Sequence, residues 1–163
     1  MPVFYRGLGL LLKAATGATI VTTGSNPYTH VFEPTTDLSS LTIEFQRGTG
    51  SSEKFEGCMV STMSISCEAG AEASASVEFI AETAATRTTA ITPSFGTGAQ
   101  VFHHQAGTLS YNSNTYTVRS FEFSLDNKLE RVNNLGSKLT GQPQISDVRE
   151  VMITCTLDLE DNN

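Results

Sequence analysis

The adjacent pair His103-His104 is the part of this sequence that comes closest to a metal-binding motif. Histidine nitrogens are common zinc ligands, but neighbouring residues of a strand point to opposite faces of a sheet. The two rings would therefore not share one ion, and the remaining histidine, His30, lies far away in the sequence. We predict no metal site and no metal cofactor.

Pairs of acidic residues are the second chemical possibility, because two carboxylates can act as acid and base in glycoside hydrolysis. Two pairs have suitable types and spacing, Glu68 with Glu72 and Glu122 with Asp126. Both lie in strand-like segments, on a sheet face that has no Trp or Tyr platform for a sugar ring. Glycosidase chemistry is therefore disfavoured.

Nucleotide-binding and acyl-transfer motifs are incomplete. The stretch GLGLLL at 7–12 lacks the third glycine of a dinucleotide fingerprint. The stretches GTGSSE at 48–53 and GTGAQ at 96–100 lack the Lys-Ser/Thr of a phosphate loop, and no GxSxG elbow occurs. The sequence predicts that the protein is not an enzyme and uses no cofactor.

Composition narrows the class of protein further. A length of 163 residues suits a single domain over 1–163, and the net charge of −7 argues against a dedicated nucleic-acid binder. The longest apolar run, at 8–12, is too short to span a bilayer, so we expect no membrane segment. The three cysteines are odd in number and have no CxxC spacing, which favours free thiols in a reducing cytoplasm.

Period-two alternation of apolar and polar residues is the main structural signal. It runs over 55–68, 72–82, 118–126 and 149–161 and predicts antiparallel strands with one buried and one solvated face. Helical spacing of apolar residues before Gly17 predicts one short helix over 4–15. Residues rich in Gly, Ser, Thr and Pro predict flexible loops over 47–54 and 83–105. The expected fold is mainly β, a β-sandwich or open barrel with one short flanking α-helix.

The solvated face of these strands is rich in Ser, Thr and acidic residues. In the last strand the apolar alternation predicts that Val151, Ile153, Cys155, Leu157 and Leu159 point inward. The acidic residues assigned to the solvated face are Glu68, Glu78, Glu122, Asp126, Glu150 and Asp158. An acidic face repels DNA, although such charge can also serve solubility alone.

The order of the motifs resembles the tail tube proteins of long-tailed bacteriophages. The segments that carry the resemblance, across nearly the whole chain, are YRGLGLLLKAATG, PYTHVFEP, SLTIEF, FEGCMVSTMSISCEAGAEASASVEFIAE, VRSFEFSLDNKLE with the following LGS, and VMITCTLDLED. This resemblance implies a tail-tube-like fold and a structural protein of the virion tail, assembled in the host cytoplasm. It also implies stacked hexameric rings that form the channel for DNA ejection, in a siphophage with a non-contractile tail.

The resemblance assigns roles to the charged residues. The six acids become candidates for the channel lining, past which genomic DNA slides without specific binding. Candidates for contacts between subunits are Lys128, Glu130, Arg131, Arg47 and Lys54. The implied partners are further copies of the chain, the tape measure protein, the tail terminator and the distal tail proteins. The alternatives are an accessory β-sandwich binding module of a phage tail or capsid and a tube protein of a secretion system.

Overall fold

The computed structural model describes residues 3, 7–25, 28–48, 51–87, 91–92, 100–136 and 140–158. Within these residues the chain is mainly β, with a single α-helix. The elements in chain order are α1 (Leu8–Thr16), β1 (Ile20–Thr23), β2 (Thr29–Phe32), β3 (Leu41–Arg47), β4 (Ser51–Glu68), β5 (Ser74–Ile80), β6 (Thr83–Arg87), a 3-10 turn (His104–Ala106), β7 (Leu109–Tyr111), β8 (Asn114–Tyr116), β9 (Val118–Asp126), β10 (Leu129–Asn133), β11 (Thr140–Ile145) and β12 (Glu150–Leu157).

Strand β4 organises the fold because it takes part in two groups of strands. Up to Cys58 it pairs with β3 and β6, and from Met59 onward it pairs with β5 and β9. Strand β9 pairs in turn with β12. The order β5-β4-β9-β12 is called the four-stranded sheet below, and every neighbouring pair in it is antiparallel. The sheets are open and do not close into a barrel.

A bend in β4 separates the two groups of strands. Gly57 has a φ of 64°, and a Cβ there would lie 2.8 Å from the side chain of Glu82. The register with β5 shifts between Val60 and Thr62, which leaves Ser61 as an extra, bulged residue. Cys58, Met59 and Val60 are consecutively buried, whereas a regular strand with one solvated face buries every second residue. The bend therefore turns β4 from one group of strands into the other.

Helix α1 covers the four-stranded sheet beside this bend. Its buried Ala14 and Ala15 pack in one cluster with Val60, Met63 and Leu125, and Leu8, Leu11 and Leu12 pack against the same cluster. The helix ends at Gly17, whose φ of 72° is left-handed and whose N–H donates to Lys13 O at 2.9 Å. The helix predicted over 4–15 is confirmed from Leu8 and runs one residue further. Gly7, with a φ of 108°, is not helical, and residues 4–6 lie outside the described residues.

Asn127 joins the helix, the bend and the end of β9. Its side chain is fully buried, and Nδ2 donates to Ala15 O at 2.9 Å and to Val60 O at 2.8 Å. Its backbone N–H donates to the bulged Ser61 O at 2.9 Å. One residue thus satisfies three carbonyl groups that neither the helix nor the strand ladder satisfies at this junction.

The expected fold class, mainly β with one flanking helix and an open sandwich-like arrangement, is confirmed. The predicted flexible loops are wrong over several residues. Arg47 ends β3 and residues 51–54 begin β4, while residues 83–87 form β6 and pair with β4. The small and hydroxylated residues of these segments are typical of loops, which is why the sequence predicts loops there. They form strands here because backbone pairing does not require apolar side chains. Residues 49–50, 88–90 and 93–99 lie outside the described residues.

Short strands account for the other differences between the structure and the prediction from sequence. The sequence did not predict β1, β10 or β11, which form the pairs β1–β2 and β10–β11. β11 contains the buried Pro143, and a proline lowers any strand prediction because it cannot donate to the ladder.

Replacement of Asn127 by Ala should lower the free energy of unfolding by about 2–4 kcal/mol, because two buried carbonyl groups lose their donor. Urea unfolding of the unassembled chain measures this loss. The matched control is Asn114→Ala in the exposed strand β8, which should change the value by less than about 0.5 kcal/mol. Equal effects of the two substitutions would contradict the role given to Asn127.

Candidate functional site

The candidate site is the polar face of the four-stranded sheet. Strand register places its side chains in cross-strand rows, for example Glu78–Thr62–Asp126–Glu150. The polar face consists of Thr62, Ser64, Ser66, Glu68, Ser74, Ser76, Glu78, Ser120, Glu122, Ser124, Asp126, Glu150, Met152, Thr154 and Thr156. It is a broad hydroxyl-rich surface with carboxylates at intervals.

Hydroxyl groups bond to each other across this face. Ser66 Oγ and Ser74 Oγ are 3.0 Å apart, and Ser120 Oγ donates to Thr156 Oγ1 at 2.9 Å. Thr62 Oγ1 donates to Glu78 Oε2 at 3.4 Å. Such bonds hold short side chains close to the sheet, so the face is smooth as well as polar.

Lys128 lies between two of the predicted acids. Its Nζ is 2.7 Å from Asp126 Oδ2 and 3.1 Å from Glu150 Oε2. Its backbone N–H donates to Asp126 Oδ1 at 2.8 Å, and its φ of 50° turns the chain out of β9. The hydrogen bonds from Lys128 lower the pKa of Asp126, and the bonds to Asp126 and Glu150 raise the pKa of Lys128.

The direction of each pKa shift determines the pH range in which the group contributes to the stability of the fold. The pKa of Asp126 is lowered, so its contribution to stability is present above the unfolded-state pKa of about 3.9 and is lost as pH falls through the folded-state pKa. The pKa of Lys128 is raised, so its contribution is present below about 10.4 and is lost as pH rises through the folded-state pKa.

The predicted acids therefore fall into two groups. Asp126 and Glu150 share Lys128, and Asp158 forms an ion pair with Arg119. Glu68, Glu78 and Glu122 are exposed and form no ion pair within the described part of the chain. These three carboxylates leave the polar face negatively charged.

The opposite, apolar face of the same sheet is only partly covered. The rows Met63–Leu125–Val151 and Ile65–Phe123–Ile153 cross three strands. Helix α1 covers the residues of β4 and β9 in these rows, but Val151 and Ile153 remain 54% and 62% exposed.

The expectation that β12 turns its apolar residues into the core of the chain is therefore wrong for Val151, Ile153 and Leu157, because no element of the described chain lies over them. Cys155 is only partly exposed, and Leu159 lies outside the described residues. Among the described strands, β5 pairs only with β4 and β12 only with β9. The β12 edge is unpaired among the described strands, whereas the chain just before β5 is hydrogen-bonded on its outer side, where Ala73 bonds to Val3 and Phe102.

The candidates for contacts between subunits lie in different surroundings. Glu130 and Arg131 are exposed on β10 and form no ion pair within the described residues. Lys54 forms an ion pair with Glu56 of its own chain, and Lys128 is held by Asp126 and Glu150. Arg47 is the last residue of β3.

The residues considered first for chemistry are not brought together. His103 Nε2 lies 3.8 Å from Glu72 Oε1, whereas His104 begins the 3-10 turn. In the part of the chain that the structure describes, no cluster of three or more His, Cys, Asp or Glu residues could hold a metal ion. None of the helices described there is long and apolar enough to cross a membrane.

Sequence reasoning missed the internal role of Lys128 and the anchoring role of Asn127. The break in alternation at Asp126-Asn127 is a visible signal of a special junction. Alternation alone does not reveal which partner a buried amide will bond to, because Ala15 and Val60 are distant from Asn127 in the sequence.

The described sheet thus has one polar face, one incompletely covered apolar face and an edge strand, β12, that pairs on one side only. The chain belongs to the phage tail tube protein family, because the family model described as phage tail tube protein matches residues 1–162. No curated protein matches the chain at a significant level. Membership in this family implies a structural component of the virion tail that assembles into a tube.

Replacement of Lys128 by Met should raise the pKa of Asp126 toward its ordinary value, because the ammonium bond is lost while the backbone N–H bond remains. NMR titration of the Asp126 carboxyl carbon measures this pKa. The control is Lys54→Met, which removes a lysine paired with Glu56 and should leave the Asp126 pKa unchanged. An unchanged pKa in the Lys128 variant would show that Lys128 does not set the charge of Asp126.

Proposed function

We propose that six copies of this chain, each a single tail tube domain, form a ring, and that stacked rings form the tail tube of a long-tailed, non-contractile phage. The genome passes through the channel of this tube during ejection. The role is structural, without a catalytic step or a cofactor. The observation that carries the proposal is the four-stranded sheet, with the unpaired, partly apolar edge strand β12 and the negatively charged polar face.

Ring closure follows from the number and direction of the strands. The order β5-β4-β9-β12 alternates in direction, so β5 and β12 run in opposite directions. In a rotationally symmetric ring, β12 of one copy therefore meets β5 of the next copy as an antiparallel neighbour. Backbone groups along β12 and the later part of β5 would pair without any change of direction, and the six sheets would form a closed barrel.

The uncovered apolar residues of β12 favour the same junction. Val151 and Ile153 continue core rows that stop at the edge of helix α1. Covering them with a neighbouring copy would contribute about 1 kcal/mol each, since each is already about half buried. The gain in free energy is small for each residue, but it is repeated at every junction between copies in a ring.

The polar face is proposed to line the channel. DNA phosphates bind strongly where Lys and Arg neutralise them, and Lys128, whose ammonium lies at this face, is already paired with Asp126 and Glu150 of the same chain. Glu68, Glu78 and Glu122 then repel the phosphate backbone and keep the DNA free to slide. Exposed Glu130 and Arg131 are proposed to contact neighbouring subunits, and so are Arg47 at the end of β3, Lys54 and Lys128.

The other partners proposed are those of the family: the tape measure protein inside the tube, the terminator at one end and the distal tail proteins at the other. Assembly is proposed to take place in the host cytoplasm.

Replacement of Ile153 by Lys should prevent ring formation, because the charge would be buried at the junction between copies. Negative-stain microscopy over a concentration series scores six-fold rings and hollow tubes. The control is Val148→Lys, at a residue that is 81% exposed and precedes β12, which should assemble normally. Wild-type chains that remain monomeric at all concentrations, or Ile153→Lys chains that assemble as wild type does, would contradict the proposed junction.

Reversal of charge on the polar face should make the tube bind DNA. The double variant Glu78→Lys, Glu122→Lys should retain linear double-stranded DNA in sedimented tubes, and increasing salt should release the DNA. A matched variant, Glu33→Lys with Asp37→Lys, changes the net charge equally, with both substitutions in the exposed loop between β2 and β3. If both variants retain DNA equally, the polar face does not line the channel.

A further inference from the structure

A cavity of about 300 Å³ lies at the end of the four-stranded sheet where β9 begins. Its walls include Cys67, Leu109, Val118, Phe121 and Cys155. Strand register places Phe121 between the two cysteines, so their thiols border one apolar recess. Nδ1 of His104, another lining residue, is buried and has no hydrogen-bond partner among the described residues. This recess, called the end pocket, suits an apolar side chain with a polar backbone group beside it.

Leu135 is the most exposed large apolar residue of the described chain, with a relative exposure of 106%. It follows β10 and lies in a turn with Gly136, whose φ is 84°. A single exposed leucine is common on protein surfaces. Its significance here comes from its position relative to the end pocket.

The end pocket and Leu135 lie at opposite ends of one stretch of chain. β9 begins at the pocket with Val118 and ends at Asp126, about 30 Å away for nine residues of strand. β10 follows after Asn127 and Lys128 and leads toward Leu135. Near its end Asn133 pairs with Thr140, whose Oγ1 donates to Glu82 O beside Gly57, across the bend of β4 from Cys67. A molecule with a knob at one end and a recess at the other can stack on copies of itself without limit, because such a head-to-tail contact does not close.

Charge on the two sites is also complementary. Glu68 lines the end pocket and is exposed, and Arg131, exposed on β10, is the charged residue of that strand nearest in sequence to Leu135, with Glu130 one position further away. Neither Glu68 nor Arg131 forms an ion pair within the described residues. Opposite charges beside an apolar contact favour one orientation of stacking over the reverse.

We propose that Leu135 of one copy inserts into the end pocket of a copy in the next ring, and that this contact sets the stacking of rings. The proposal rests on the proposed function, since it requires rings that stack. The occupant of the pocket is a second copy of this chain, because the matching apolar knob is present on every copy. Leu135 and Cys67 would have no role in closing a single ring.

The native cysteines allow a direct test in the wild-type protein. Cys67 should react with iodoacetamide about tenfold or more slowly in assembled tubes than in unassembled chains, because the inserted leucine closes the pocket; Cys155 lies on β12, which the ring junction also covers, and is not used as the reporter. Cys58, which is 1% exposed in the isolated chain, is the internal control and should react slowly in both states. Mass spectrometry of the labelled peptides measures each rate.

Two variants test whether Leu135, rather than another contact in the tube, protects the Cys67 thiol of the end pocket from alkylation. Leu135→Ala should form rings that stack poorly, and any tubes should show fast labelling of Cys67. Leu135→Cys should form an oxidation-dependent disulfide with Cys67 or Cys155 of another copy, whereas Val148→Cys, also on an exposed side chain, should not. The disulfide should disappear when Cys67 and Cys155 are both replaced by Ala.

The outcomes distinguish this contact from the function on which it rests. Wild-type tubes whose Cys67 thiol reacts as fast as that of free chains would overturn the contact and leave the tube intact. Normal stacking by Leu135→Ala with unchanged protection of Cys67 would also overturn it. If the wild-type chain forms neither rings nor tubes, the proposed function fails and the stacking contact fails with it.

Discussion

The fold depends on the hydrogen bonds of one buried amide, that of Asn127. Strand β4 must bend and bulge to serve two groups of strands, and a bulge leaves carbonyl groups outside the regular ladder. Asn127 donates to the bulged strand through its backbone and its side chain, and to the last turn of α1 through the same side chain. A buried amide is costly unless it is bonded, so the conformation in which these donors are satisfied is strongly favoured over its alternatives.

This junction determines how the two faces of the four-stranded sheet are used. The helix anchored at Ala15 covers β4 and β9 and leaves β12 uncovered. Immediately after Asn127, the left-handed backbone of Lys128 directs its ammonium back between Asp126 and Glu150. Two consecutive residues therefore determine both faces of the sheet. Asn127 positions the helix on the apolar face, and Lys128 pairs with the carboxylates of the polar face. The apolar face is incomplete in a single copy, which is the property that the proposed ring accounts for.

Much of the architecture could be predicted from sequence because its signals are local. Alternation identified β9 and the long strand β4, and the apolar spacing before Gly17 identified α1. The polar face could also be predicted, since alternation places Glu78, Glu122 and Asp126 on the solvated side. Alternation does not show what covers a face, so the exposure of Val151 and Ile153 could not be foreseen. The strands β6 and β11 were missed because Thr, Gly and Pro resemble loop residues until a partner strand is known.

The charge pattern shows the same limit. Sequence could separate acids from bases, but the bridge from Lys128 to Glu150 depends on strand register across 22 residues of chain. The exposure of Leu135 and the cavity beside Phe121 likewise depend on tertiary packing. Such features have no periodic signal in the sequence.

The most direct test of the central claim is a cryo-electron microscopy map of the assembled protein at a resolution that shows side chains. The account predicts six copies per ring, β12 of each copy paired antiparallel with β5 of the next, and the side chains of Glu78 and Glu122 facing the channel. A ring in which these two strand edges do not meet, or in which the acidic residues face the outer surface, would contradict it.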